Sequence, residues 1–183
     1  MTSALPAPDD EVEPLSFGRR TARLLAIVAV VLVAGMWSYA LFWPHDTTPP
    51  GRLSEPTWSE AAQQVCAATA AQLATLPAAH LTPTPAERAD TVARSDALLT
   101  SMLDSIDALP PPSDPTDARM VTEWRGDWRT YVADREAYAE RLRTDPTTRF
   151  YVTIKDRRQV SEPIDFFANA NRMTDCVTPD DIE

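Results

Sequence analysis

The sequence predicts a mostly α-helical protein: one transmembrane helix plus an extracytoplasmic antiparallel three-helix bundle, completed by a small β-hairpin and a short C-terminal helix. Three observations carry that expectation. The stretch from Leu24 to Trp43, LLAIVAVVLVAGMWSYALFW, contains no charged residue. Beyond it, apolar residues recur in alternating steps of three and four, the signature of helices buried along one face. Two cysteines, Cys66 and Cys176, both follow the apolar stretch.

At about 1.5 Å per residue, roughly 20 helical residues cross the hydrocarbon core of a bilayer. The lipid bilayer is therefore the expected partner of residues 24–43. Arg19, Arg20 and Arg23 precede the span, whereas Asp46 and an uncharged Pro-rich stretch follow it. Basic residues stay on the cytoplasmic side, so the N-terminus is expected inside and the C-terminal domain outside the plasma membrane. Trp37, Tyr39 and Trp43 gather at the far end, where aromatic rings favour the headgroup level. A cleaved signal peptide is the competing reading, because Ser38 and Ala40 have the small side chains a signal peptidase requires. Against it, the apolar run continues through Leu41, Phe42 and Trp43, and the leading region carries Asp9, Asp10, Glu11 and Glu13.

Residues 1–18 are polar, acidic and punctuated by proline, and read as a disordered cytoplasmic tail. Residues 19–43 form the anchor with its basic flank, and 44–56 (PHDTTPPGRLSEP) a linker. The helical domain is expected over 57–178. Thr57 and Glu60 have the spacing of a capping box opening a helix to Leu76, with Ala62, Val65, Thr69, Leu73 and Leu76 inward. Thr84 and Glu87 repeat that spacing, with Pro85 at the first helical position. This second helix is expected to reach Leu109 with Val92, Ser95, Leu99, Met102, Ile106 and Leu109 inward. Asp114-Pro115 opens a third, whose inward stripe is Val121, Trp124, Trp128, Tyr131, Arg135, Tyr138 and Leu142. Connections this short favour antiparallel neighbours.

From Arg149 the pattern changes to β-branched and aromatic residues. Arg149–Ile154 and Gln159–Ser161 read as a hairpin around a Lys155–Arg158 turn, and Pro163–Asn171 as a short helix. Residues 179–183 read as a frayed acidic tail. On the outer side of a membrane, two cysteines are expected to pair, closing a loop of about 110 residues.

Composition argues against several function classes. The net charge is −10, and no basic run exceeds a pair (Arg19-Arg20, Arg157-Arg158), so nucleic acid is not an expected partner. The two histidines, His45 and His80, have no Cys, His or acidic companion at ligand spacing. The GxSxG, HExxH, P-loop and CxxC motifs are all missing. No enzymatic activity, cofactor or metal is therefore expected.

The candidate ligand or partner residues are Arg135, Trp124, Trp128 and Tyr138, with Tyr131 between them. In one reading, the Arg135 stem packs while its head snorkels to water or pairs with an acid, and truncation costs about 1 kcal/mol or less. In the other, the guanidinium faces an aromatic-lined cavity that takes a carboxylate or phosphate. The Arg157-Arg158 tip is either a solvated turn or a contact for a partner or anionic headgroups.

The pattern resembles uncharacterised actinobacterial single-pass membrane proteins with a helical extracytoplasmic domain. The resemblance covers residues 19 to 178. It rests on the Arg-flanked span, Pro50-Gly51-Arg52-Leu53, Ala118-Arg119-Met120-Val121, the Glu123-Trp124, Asp127-Trp128 and Tyr131 helix, and the closing Pro163-Ile164-Asp165 and Asp175-Cys176. It implies an architecture and supplies no activity. The leading functional expectation is a membrane-anchored interaction or scaffold module with an envelope protein partner. The alternative is a small-ligand or lipid-fragment binding domain with a cavity beside the aromatic helix. An envelope enzyme working through acidic residues is the weakest of the three.

Overall fold

The computed structural model describes residues 16–43 and 49–182. It is mostly helical, with one small two-stranded antiparallel sheet, and it divides into two units, Met1–Thr47 and Thr48–Glu183.

The first unit contains α1, Ser16–Phe42. Its apolar portion, Thr21–Phe42, is 22 residues long and every residue in it is exposed. That length corresponds to about 33 Å, enough to cross a bilayer. The disordered tail expected over 1–18 falls outside the described residues except for its last three, Ser16 to Gly18, which are already helical. Pro44 to Thr48, including His45 and Asp46, also lie outside them.

The second unit opens with a correction to the expected linker. Leu53 is buried, and its amide donates to Asn171 Oδ1 at 2.8 Å. The Ser54 amide and hydroxyl both donate to Asp117 Oδ2, at 2.9 and 2.7 Å. The folded domain thus begins before residue 57. Helix α2, Pro56–Leu73, starts at Pro56, whose fixed φ suits the first turn and whose missing N–H would be unpaired there. With the start at Pro56, Glu55 occupies the cap position without a side-chain bond, and the Thr57–Glu60 box does not form. The helix ends at Leu73 rather than Leu76, tightening into shorter turns through Leu76 N to Leu73 O at 2.9 Å.

Helix α3, Pro85–Asp107, has the expected capping box in both directions. Helix α4, Pro115–Thr144, is capped by Asp114, which accepts from the amides of Thr116 and Asp117 at 2.7 and 3.0 Å. The periodic stripes of both helices are buried, except that α3 stops at Asp107, short of the expected Leu109, which is half-buried beyond its end. Helix α3 packs on both α2 and α4, and α5 on α4.

The sheet is smaller than expected: β1 is Ile154–Lys155 and β2 is Arg158–Gln159, paired Ile154 with Gln159 and Lys155 with Arg158. The turn is therefore only Asp156-Arg157, both at positive φ (50° and 66°), as a tight two-residue hairpin requires. Helix α5, Ser161–Ala170, begins two residues before Pro163 and buries Ile164, Phe167 and Ala168. Cys66 and Cys176 are bonded, which ties the segment after α5 to the middle of α2.

The core has two parts. The larger joins Leu53, Trp58, Cys66, Leu99, Trp124, Trp128, Ile164 and Cys176 with their neighbours. The smaller joins Ala79, Ala89, Val92, Tyr138, Ala139, Leu142 and Ile182. Ile182 corrects the reading of 179–183 as a frayed tail, at least through residue 182. The Asp181 carbonyl also accepts from the Ala79 amide at 2.8 Å, in the 3₁₀ turn Ala79–Leu81.

Candidate functional site: the aromatic face of helix α4

Steps of three and four along α4 set Trp124, Trp128, Tyr131, Arg135 and Tyr138 on one face, and all five are buried. Trp124 meets Trp58 edge-on at 5.9 Å between centroids and Phe167 at 5.5 Å, and its indole N–H donates to the Ile164 carbonyl at 3.2 Å. Trp128 is fully buried between Trp124 and Tyr131. Its indole N–H has no hydrogen-bond partner among the described residues. Tyr131 donates through its hydroxyl to the Pro179 carbonyl at 3.4 Å, and its ring packs on Phe150. Tyr138 also packs on Phe150, within the smaller core. The rings pack on one another; Tyr131 and Phe150 also line one depression, and Trp124 and Phe167 another.

Arg135 is 0 % exposed, so its head does not reach water. Its Nε donates to Asp96 Oδ1 at 2.5 Å. Its Nη1 and Nη2 donate to the two oxygens of Asp181 at 2.6 and 2.9 Å, and Nη2 also donates to Ser95 Oγ at 2.8 Å. Ser95 in turn donates to Asp181 Oδ2 at 2.9 Å. The guanidinium carbon stands 5.7 Å from the Tyr131 ring centroid, within cation–π range. Of the two expectations for Arg135, the acid pairing is found. The snorkelling head is not. Two depressions lie nearby: one of about 300 Å³ is lined by Tyr131, Phe150, Asp165 and Asp180, and one of about 200 Å³ by Ser95, Pro179 and Asp181. Arg135 lines neither.

The electrostatics follow from one buried cation between a buried carboxylate, Asp96, and a partly exposed one, Asp181. Burial alone disfavours charge on Arg135, but the Asp181 pair outweighs it and holds the guanidinium firmly protonated. Burial would likewise raise Asp181, yet its bonds to Arg135 and Ser95 together lower it below the ordinary carboxylate value. Asp96 receives a single bond and its Oδ2 is buried without a partner. Burial therefore wins, and Asp96 is pushed up to about 6 against the pull of Arg135.

Three members of this cluster escaped the sequence reading. Ser95 was expected only as a small inward residue of α3. Asp96, its neighbour, carries no signal beyond a charge beside the stripe. Asp181 lies 46 residues from Arg135, where no periodicity connects them. His80 sits in the 3₁₀ turn, and no group of three or more His, Cys, Asp or Glu side chains among the described residues could hold a metal ion.

No family model, curated protein or solved structure matches the chain. What it does must be argued from its own residues.

Proposed function

We propose that the chain is a membrane-tethered interaction module of the cell envelope, anchored by α1 with its N-terminus in the cytoplasm and its helical domain outside. In this reading α2, α3 and α4 form an antiparallel three-helix bundle, and the chain belongs with the actinobacterial single-pass proteins it resembles. One observation carries the functional part. The groups best suited to hold a small ligand, Arg135 and the aromatic rings beside it, are used up inside the domain on Asp96, Asp181, Ser95 and one another. Chemistry presented to the surroundings is left to the domain surface, which is how an interaction module works.

The test is proximity labelling in the native cell, with a biotin ligase fused either before Met1 or after Glu183. The C-terminal fusion should label envelope proteins that an unrelated single-pass anchor with the same ligase does not, and the N-terminal fusion should label cytoplasmic proteins. A C-terminal fusion that labels cytoplasmic proteins would refute the topology. One that labels only what the unrelated anchor labels would refute the interaction role.

A further inference from the structure

Residues 178–182 form neither helix nor strand, yet each of them except the exposed Asp180 is gripped by groups from other elements. Asp165 of α5 accepts from the Thr178 amide and hydroxyl at 2.7 and 3.1 Å. The Tyr131 hydroxyl donates to the Pro179 carbonyl. The Asp181 carboxylate takes three donors, Arg135 Nη1 and Nη2 and Ser95 Oγ. The Asp181 carbonyl takes two more, the amides of Ala79 and His80 at 2.8 and 3.4 Å. Ile182 is buried with Ala79, Tyr138 and Leu142. The segment therefore lies on α3, α4, α5 and the 3₁₀ turn as a bound peptide lies on a receptor, read residue by residue by side chains and turn amides. It is also a separable layer. The Cys66–Cys176 bond staples the chain just upstream, so lifting residues 178–182 leaves the rest of the fold tied. Pro179 and Asp180 line both neighbouring depressions, of about 300 and 200 Å³, and so form the wall between them. Lifting that wall joins the two into one cleft and uncovers the Arg135 guanidinium.

We propose that this cleft is the recognition site for a segment of a partner protein, and that residues 178–182 occupy it in cis as an autoinhibitory contact. The inference deepens the interaction reading and rests on it: Arg135 is closed to small ligands while the segment is in place and open to a partner's segment once it lifts. The partner segment is defined by what the cleft grips. It carries a hydroxyl side chain where Thr178 stands, a carboxylate three residues on, where Asp181 stands, and a branched apolar side chain directly after it, where Ile182 stands. The guanidinium fork reads a carboxylate through two parallel bonds, and an amide in its place leaves a buried donor facing another donor. Asp96 shares the same guanidinium, so the site takes one carboxylate and not two. Asp165 at the upstream end accepts a hydroxyl and repels a second acid. The attached segment competes at an effective concentration on the order of millimolar, which makes it a gate against weak partners.

The test uses the full chain in detergent micelles, with a protease recognition sequence inserted between Val177 and Thr178. Cutting there leaves the segment held by its contacts alone, and washing removes it. A labelled, end-capped peptide Thr-Pro-Asp-Asp-Ile, the sequence of residues 178–182, should then bind saturably. The uncut chain should bind it about a hundredfold more weakly, because its own segment competes. Replacing the peptide aspartate that corresponds to Asp181 with asparagine should weaken binding about tenfold or more. A cut chain that stays folded but binds no peptide, or binds both peptides equally, overturns the proposal. If washing costs the cut chain its helical signal, recovery with the aspartate peptide and not the asparagine one supports the cleft, and failure to recover overturns it. In the uncut chain, the amides of Thr178, Asp181 and Ile182 should exchange hydrogen through local opening, well ahead of those of α4. Exchange only together with α4 would show that the segment never lifts by itself and would overturn the gate. These measurements need no cell and no native partner, so their failure refutes this inference alone, whereas the interaction reading falls or stands on the labelling experiment.

Discussion

Arg135 and Asp181 form a bidentate pair, Nη1 to Oδ1 at 2.6 Å and Nη2 to Oδ2 at 2.9 Å, that joins the middle of α4 to the segment after the disulfide. Removing its fully buried arginine is costly, because the buried Asp96 and the partly exposed Asp181 then keep their desolvation penalties without a partner. Arg135→Met should therefore cost about 3–5 kcal/mol, read as a lower chemical-denaturation midpoint. That is well above the 1 kcal/mol expected for a snorkelling arginine. A loss of 1 kcal/mol or less would mean that the guanidinium is solvated after all.

Asp96 should make the domain less stable as pH rises. Its folded-state value of about 6 lies above the roughly 3.9 of an unfolded aspartate. Between those values the native state holds a proton that the unfolded chain has released, so unfolding free energy falls across about pH 4 to 6. The shift corresponds to at most about 3 kcal/mol. Asp181, shifted downward, acts oppositely: its contribution is present above about pH 4 and is lost as the pH falls below that. Denaturation midpoints measured from pH 3 to 8 should therefore peak on the acid side of neutrality. Asp96→Asn should flatten the decline between pH 4 and 6, and a mutant that retained the wild-type slope would exonerate Asp96.

Trp128 is completely buried and touches rings on both sides. Trp128→Ala should cost about 3–5 kcal/mol through lost burial and the cavity left behind. Trp128→Phe should cost markedly less, because it keeps the ring contacts and removes an indole N–H that has no partner. Thermal melts of the two variants would decide this, and equal losses would show that the N–H is bonded in solution.

Reduction of Cys66–Cys176 should lower the melting temperature by several degrees. The bridge spans 110 residues, for which restriction of the unfolded chain amounts to somewhat under 5 kcal/mol, with about 2–4 kcal/mol usual. The comparison should be run with a Cys66→Ala/Cys176→Ala variant, since a melting point unmoved by either treatment would show that core packing alone holds the segment.

The parts of this fold that were legible in the sequence are those written in short-range chemistry. Thr84 and Glu87, Asp114 with Pro115, and the stripes of α3 and α4 each act within a turn or a helix, so spacing reveals them. Thr57 and Glu60 show the limit of such signals: the same spacing fails when Pro56 takes the first turn. The hairpin turn was read two residues too wide because neither Asp156 nor Arg157 is a glycine, and positive φ has no other strong marker. Asp181 was taken for solvated terminal charge because only the folded chain brings it to Arg135. The interior chemistry around Arg135 was thus the least legible part, being set by contacts between elements.

The disulfide also determines how the protein responds to mechanical load. A pull applied at the α1 end and resisted by anything held beyond Cys176 follows the shortest covalent path, through Cys66 directly to Cys176. The intervening chain, including α3, α4, the hairpin and α5, is bypassed. Stretching could draw out only the segments before Cys66 and after Cys176, so much of the domain would be shielded from unravelling until the bond is reduced.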